Sequence, residues 1–467
     1  MNHQFPRPRR VLSKVRRLTG RSSPRPFEIS PASAPFLRPT APPLPTDPPG
    51  PRVLLINDCR DQVNFGADAL LDGLLAILGL SLPGATIVPI PSHWLLSLSV
   101  DRSVFVQGGR GLTQPGPTFP AVADQFETVA REWTEGRGGP GAQEFLTRFE
   151  GADLVVLNGE GSLYRTNPSA IRELFLAWLA REWLGIPTVF INGMVHLTDV
   201  VPVLPAMVRK TFSALDAVAV REPCSLRNLR QFAPGVHAEV LPDSAFVFTA
   251  DDASSTPAVH TVKAQIGDSP YFCFDPGPMP MDHRSSNQSG LHQMLIRLMS
   301  VAPQAVLVNS GPADSYIREV AADTGSIYVD SLTDYREYMA LAADAQFVAS
   351  GRYHNTILAA IVGCPSITFA SANHKVHGAC EILDGIVGSP YDGTDLRSQM
   401  DAIEGRAREY VTNRTELRGR LIDVCRRRRP EALRLGEVAA DALRSSSTGG
   451  SPRRVSAPVS IEGWDCA

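Results

Sequence analysis

Residues 345–372 read AQFVASGRYHNTILAAIVGCPSITFASA. The apolar run at 346–349 is expected to be a strand, and residues 350–354, SGRYH, a tight turn. A helix follows, and a second strand at 365–369 closes the unit. The turn sets Arg352 and His354 together at the end of a strand and the start of a helix. Unpaired backbone N–H groups and the positive end of the helix dipole point to the same place. That combination suits a phosphate or a carboxylate.

The same alternation runs outward in both directions. Towards the amino terminus, apolar runs at 52–57, 86–90, 153–158, 187–192, 216–221 and 238–241 are expected strands. Helical spacing fills the gaps, for instance at 66–78, 171–183 and 224–232. Towards the carboxyl terminus, strands are expected at 271–275, 305–309 and 326–329, with helices at 290–301, 315–324 and 335–344. Two successive sets of this kind predict an α/β protein with two doubly wound Rossmann-like domains facing a cleft. The amino-terminal domain spans 52–250 and the carboxyl-terminal domain 269–395, joined by a polar, irregular linker at 251–268. Charge-rich helices are expected over 396–444. Residues 1–51, crowded with Pro, Arg and Ser, and the tail 445–467 cannot bury enough apolar surface to fold alone.

Composition narrows the function classes. The chain has 467 residues, 43% hydrophobic and 20% charged, with a formal net charge of -3. That length exceeds one hydrophobic core, and the charge gives no case for nucleic acid. No apolar run reaches the 18 residues of a spanning helix. The basic tail lacks the apolar core of a secretory signal, so a cytoplasmic location is expected, with the tail as a route to the inner membrane surface. Seven scattered cysteines form no CxxC and read as free thiols.

In doubly wound sheets the ligand crevice lies beyond the carboxyl ends of the strands. Those ends carry Asn57, the 159–162 loop, Asn192, Arg221, Asp275, Asn309 and the Arg352–His354 turn. Arg352 offers a planar fork for carboxylate or phosphate, and His354 an acid near neutral pH. The structural alternative is a pair that caps carbonyls or joins a nearby acid. Arg221 ends an apolar strand and is either an anion ligand or the ion-pair partner of Glu222 or Asp243. In the loop Gly159-Glu160-Gly161-Ser162 the glycines allow close approach of a ligand, and Glu160 is a candidate base or sugar ligand. The loop lacks the Lys of a phosphate-binding P-loop. Asn64 and Asp68 sit in a similar loop, where the alternative is a helix cap. Lys375 is a candidate anion ligand. His374 and His377, three apart, lack an evident third ligand, so no metal is expected.

Taken in order, these pieces resemble the polysaccharide pyruvyltransferase family. The matching pieces are Asn64-x-Gly66-x-Asp68, VVLNGEGSL at 155–163, AVREPCS at 219–225, PDSAF at 242–246, GRYH at 351–354 and LAAIVGCP at 358–365. Tyr353 stands where Leu is common, and Glu160 where many members have Gly. The resemblance implies a fold similar to GT-B glycosyltransferases, phosphoenolpyruvate as donor, and a glycan or lipid-linked sugar as acceptor of a pyruvate ketal. It implies no cofactor. It implies donor-binding roles for Arg221, Arg352 and His354, with Lys375 a looser match; the acceptor side would fall to Asn64, Asp68, Gly159, Glu160 and Ser162. The bottom-up chemistry agrees, since this donor has two anionic ends and needs at least two cationic ligands. Two rivals stand beside it. A GT-B glycosyltransferase using a nucleotide sugar would want an acidic residue shortly after the turn to hold the ribose, and 355–365 has none. A non-catalytic glycan-binding protein would leave three cationic groups at strand ends without a task.

Overall fold

The computed structural model describes residues 50–60, 64–96, 118–161, 163–164, 168–198, 203–277, 284–311, 316–371 and 373–447. The amino-terminal lobe holds β1 (Arg52–Asp58), β2 (Thr86–Pro91), β3 (Leu154–Asn158), β4 (Thr188–Gly193), β5 (Ala217–Val220) and β6 (Glu239–Val240). They form one parallel sheet in the order β2-β1-β3-β4-β5-β6. The carboxyl-terminal lobe holds β7 (Tyr271–Asp275), β8 (Gln304–Val308), β9 (Ile327–Val329), β10 (Val348–Ser350) and β11 (Ser366–Thr368). These are also parallel, in the order β11-β10-β7-β8-β9.

The sequence dictates this arrangement. Strands such as LVVLN and YFCFD are buried along their whole length, as parallel strands covered by helices on both faces must be. In the first sheet the chain leaves β1 for β2 and then crosses to β3; in the second it leaves β7 for β8 and β9, then returns to β10. Each sheet therefore has a switch point, β1/β3 and β7/β10, where the crossing connections diverge and open a crevice. Pairing of Ser350 with Asp275 brings the ends of β10 and β7 level.

Apolar packing joins the lobes. Phe65, Ala69, Ala245 and Phe246 of the first lobe share one buried cluster with Tyr338, Tyr353, Ile357 and Leu358 of the second. The helix Arg414–Ser447 ties them further. Its Leu421 and Val424 enter that cluster, while Leu435, Ala439 and Ala440 pack on Leu55, Leu70 and Leu74 of the first lobe. Pro430, inside this helix, removes one backbone hydrogen bond between its two packing faces.

One expectation about local structure is corrected. Much of 251–268 is regular: the helix Pro257–Ile266 starts on the Thr256 cap and buries Val259, Val262 and Ile266 in the second lobe. No helix among the described residues is long and apolar enough to cross a membrane. Cys59, Cys224, Cys273, Cys364, Cys380 and Cys425 are buried and joined in no disulfide among the described residues; Cys466 and the tails 1–49 and 448–467 lie outside the described residues.

Candidate active site

The 350–354 turn forms as the sequence suggests. Arg352 occupies the N-cap position of the helix Tyr353–Ile361, directly after β10. Its Nε donates to Asp275 Oδ1 at 3.1 Å, and its backbone N–H to Ser350 Oγ at 3.0 Å. Asp275, fully buried at the end of β7, also accepts from Gly277 N (3.0 Å), Ser310 Oγ (2.7 Å) and Asn355 Nδ2. Gly351 and Gly277 let the two loops touch. A Cβ on Gly351 would lie 2.3 Å from the Pro276 carbonyl, and Gly277 has φ +61°. The guanidinium of Arg352 is thus fixed at the β7/β10 switch point by an acid that reads in the sequence only as the last residue of a strand.

Arg221 comes from the other lobe. It follows β5 and is 0% exposed. Its Nε donates to Glu222 at 3.0 Å and its Nη1 to Asp243 at 3.1 Å and to Glu160. Its Nη2 is buried with no hydrogen-bond partner among the described residues. A buried guanidinium with one unmet nitrogen calls for an explanation, and an anionic ligand supplies one. Burial alone would lower the Arg221 pKa, but Glu160 and Glu222 outweigh it and hold it well above the ordinary value. Burial pushes Glu222 up to about 7 against the pull of Arg221.

Asp243 links the two halves. The same Oδ2 that accepts from Arg221 accepts from His354 Nε2 at 3.2 Å. Burial would raise the Asp243 pKa, but His354 and Arg221 outweigh it and the group stays below the usual carboxylate value. An ionised Asp243 can only accept, so His354 carries a proton on Nε2. The other ring nitrogen faces Gly66 in the first turn of the helix Phe65–Ser81, where an added Cβ would lie 2.4 Å from Nδ1. Only a glycine lets this helix lie so close against the imidazole. The Asp243 turn is itself braced, because Asn192, at φ +58° near the end of β4, exchanges hydrogen bonds with Ser244 N (2.9 Å) and Oγ (2.7 Å).

The glycine loop is set in a similar way. Asn57, at φ +67°, donates to the carbonyls of Asn158 (2.9 Å) and Glu160 (3.0 Å), and Asn158 Nδ2 donates back to the Asn57 carbonyl at 3.1 Å. A Cβ on Gly159 would collide with the Phe190 ring. Glu160 is held on Arg221 rather than left free. Burial would raise its pKa, but Arg221, His354 and Lys375 outweigh it and keep it ionised. Lys375 opens the helix Lys375–Ile382, and burial pushes its ammonium down to about 8, with Glu160 pulling it up and Arg221 and Arg352 pushing it further down. Those couplings put Lys375, Arg221, Arg352 and Glu160 in one electrostatic neighbourhood.

Asn64 and Asp68 flank Gly66, the residue that faces His354. Asn64 is a helix cap whose Oδ1 accepts from Gly66 N at 2.9 Å, and Asp68 is buried in the first turn of that helix. Ser162 lies outside the described residues. His374 and His377 do not act together, since His374 shares a 2.8 Å contact with His196 Nδ1 and a 3.1 Å contact with Ser225, while His377 is exposed. Burial pushes His374 down to about 3, so it is neutral. Glu222, Cys224 and His374 do place ligand-type atoms within 4.8 Å of one another, but Glu222 and His374 are already engaged with Arg221, Ser225 and His196.

A family model described as polysaccharide pyruvyl transferase matches residues 64–373. The chain belongs to the polysaccharide pyruvyl transferase family. The matched span runs from the Asn64 cap to Asn373 and so includes Arg221, Asp243, Arg352 and His354; Lys375 lies two residues beyond it. No curated protein matches the chain. Among solved structures, a protein described as a UDP-N-acetylglucosamine 2-epimerase from Listeria monocytogenes is 12% identical with a TM-score of 0.52, covering 86% of this chain and 98% of its own. Sucrose-phosphate synthase from Thermosynechococcus elongatus is 15% identical with a TM-score of 0.50, covering 86% and 100%. At such identities these likenesses speak to the fold alone, which is the GT-B-like pair of parallel-sheet lobes. Asp275, read in the sequence as a strand end, anchors Arg352; Asp243, read as a partner of Arg221, also meets His354; and Tyr353 sets its ring beside Arg221 and His354.

Proposed function

We propose that this family member transfers the pyruvyl group of phosphoenolpyruvate to a glycan or lipid-linked sugar and leaves a pyruvate ketal. The observation that carries the proposal is the buried Arg221 Nη2, without a partner among the described residues, beside His354 where the lobes meet. Arg352 and Lys375 supply further positive charge nearby. Phosphoenolpyruvate has a carboxylate and a phosphate, and this arrangement has cationic groups from both lobes to meet them.

The chain's residues divide the work as follows. Arg221 and Arg352 clamp the two anionic ends, and Lys375 adds charge opposite the phosphate. His354, held by Asp243 through Nε2, is the acid that protonates the donor's methylene carbon. That proton makes C2 electrophilic. One sugar hydroxyl adds to C2 and gives its proton back to the imidazole. Phosphate leaves with the C–O electron pair, and a second hydroxyl closes the ketal, its proton departing with phosphate. Donor and diol thus give ketal and hydrogen phosphate with every proton accounted for. The cationic groups are fixed before the donor arrives, so they need little reorganisation as charge moves.

The test is to incubate the protein with phosphoenolpyruvate and a panel of glycan acceptors and to measure phosphate release. Acceptor-dependent release is the expected result. Absence of release with every acceptor, together with binding of a nucleotide sugar, would sink the proposal in favour of a glycosyl transfer.

A further inference from the structure

Tyr353 lies between the two residues of the turn and points elsewhere. Its ring is 1% exposed and packs in the apolar cluster shared by the lobes. One face meets Arg221, whose Cζ lies 4.2 Å from the ring centroid. The ring also stands edge-on to His354, with centroids 5.0 Å apart. The phenol oxygen is buried and has no hydrogen-bond partner among the described residues. A buried, unpaired hydroxyl costs stability, so the hydroxyl is not what holds this side chain in place. What the ring offers is its electron-rich face, which attracts a guanidinium, most strongly away from water.

The charges around Arg221 make such a platform useful. Three carboxylates, from Glu160, Glu222 and Asp243, approach its Nε and Nη1 and pull on one side of the group. Nη2 has no such anchor among the described residues. Stacking on a flat ring fixes the plane of the guanidinium and so fixes where Nη2 points. The ring that does this belongs to the opposite lobe and sits one residue from both Arg352 and His354.

We propose that Tyr353 is a positioning residue that holds the Arg221 guanidinium face-on from the opposite lobe, so that Nη2 is aimed at the donor's anion. The aromatic face is the working part and the hydroxyl is dispensable. Tyr353 thereby couples the anion-binding power of the first lobe to the seating of the second. This rests on the donor reading given above only for the ligand, not for the contact.

The test has two arms, with Y353F and Y353L as variants. The first arm uses ligand-free crystal structures of the wild type and both variants. Y353F is expected to keep Arg221 in its plane, and Y353L to show the guanidinium rotated off it. The second arm measures the donor KM and kcat with phosphoenolpyruvate and an accepted glycan, alongside thermal melting. Y353F is expected within about twofold of wild type in KM and at least as stable, because it removes an unpaired buried hydroxyl. Y353L is expected to raise the donor KM about tenfold with kcat little changed, since stacking of this kind contributes to binding an anion rather than to the chemical step. An unmoved guanidinium in Y353L, or equal KM changes in Y353F and Y353L, would overturn the proposal. If the wild type takes no phosphoenolpyruvate while Arg221 still swings away in Y353L, the donor reading fails and the positioning role stands.

Discussion

Gly66→Ala tests the idea that His354 is held from both lobes. Gly66 lies in the first turn of the helix Phe65–Ser81, has no positive φ, and carries no charge. On local grounds alanine should help, because glycine inside a helix costs about 0.8–1.0 kcal/mol relative to alanine. Across the lobes it should hurt. The new Cβ would lie 2.4 Å from His354 Nδ1, 2.7 Å from its Cβ and 2.8 Å from its Cγ, where ordinary contact begins at 3.4 Å. The shortfall is 3.4 minus 2.4, about 1 Å, and His354 cannot retreat freely because Asp243 holds its other nitrogen at 3.2 Å. A displacement of about 1 Å at a reacting group costs on the order of 100-fold in rate, or about 2.7 kcal/mol of barrier. Overpacking of about 1–3 kcal/mol is partly offset by the gain in helix propensity, so global stability should change by less than about 2 kcal/mol. The assay is acceptor-dependent phosphate release, with urea unfolding as the control for stability. A folded Gly66→Ala protein within threefold of wild-type kcat/KM would refute the need for His354 to sit tightly between Gly66 and Asp243.

Other outcomes follow from neighbouring residues. Lys375 has its pKa lowered from 10.5 to about 8 by burial, so the free protein loses this positive charge as pH rises through about 8. The donor kcat/KM should fall above that pH, and Lys375→Arg should keep it level further into the alkaline range; a wild-type profile flat to pH 10 would contradict the role. The sign for stability is the reverse, since a lowered ammonium pKa penalises the folded state below about 8 and the penalty fades towards 10.5. Glu160→Gln removes the partly exposed carboxylate that competes for Arg221 Nη1, so the donor KM should drop about tenfold, the worth of one charge-assisted hydrogen bond; a collapse of kcat instead would show that Glu160 acts as a base on the acceptor. Asp275→Asn breaks the buried ion pair of Arg352 and should cost about 3–5 kcal/mol in chemical denaturation. A loss under 1 kcal/mol would mean that Arg352 has another anchor.

The strands and the turn were legible because their signal is local. Apolar runs such as DLVVLN end in a polar residue at the point where the sheet ends, and SGRYH interrupts an apolar stretch with two cationic side chains. The helix Pro257–Ile266 was also written locally, in the Thr256-Pro257 start and in Val259, Val262 and Ile266 on one face, but polar neighbours on both sides masked it. The partners of the site are a different matter. Asp243 and His354 are 111 residues apart, and Arg352 and Asp275 are 77 apart. No local pattern distinguishes an acid that will meet an arginine across a lobe boundary from one that caps a turn, and Asp243 does both by accepting from Ala245 N at 2.9 Å. Of the two readings of Arg221, the structure bears out the ion-pair one with three carboxylates, and it leaves Nη2 without a partner among the described residues. Likewise, Tyr353 looks in the sequence like a substitution between two functional residues, and only the packing of the lobes brings its ring under Arg221.

The most direct test is the product formed in D2O. Phosphoenolpyruvate and an accepted glycan are incubated with the protein, and the purified product is examined by proton and carbon NMR. Protonation of the donor's methylene carbon predicts a ketal whose methyl group carries one deuterium, formed together with one phosphate per ketal. A glycan modified without such a methyl group, or phosphate released without modification of the glycan, would contradict it.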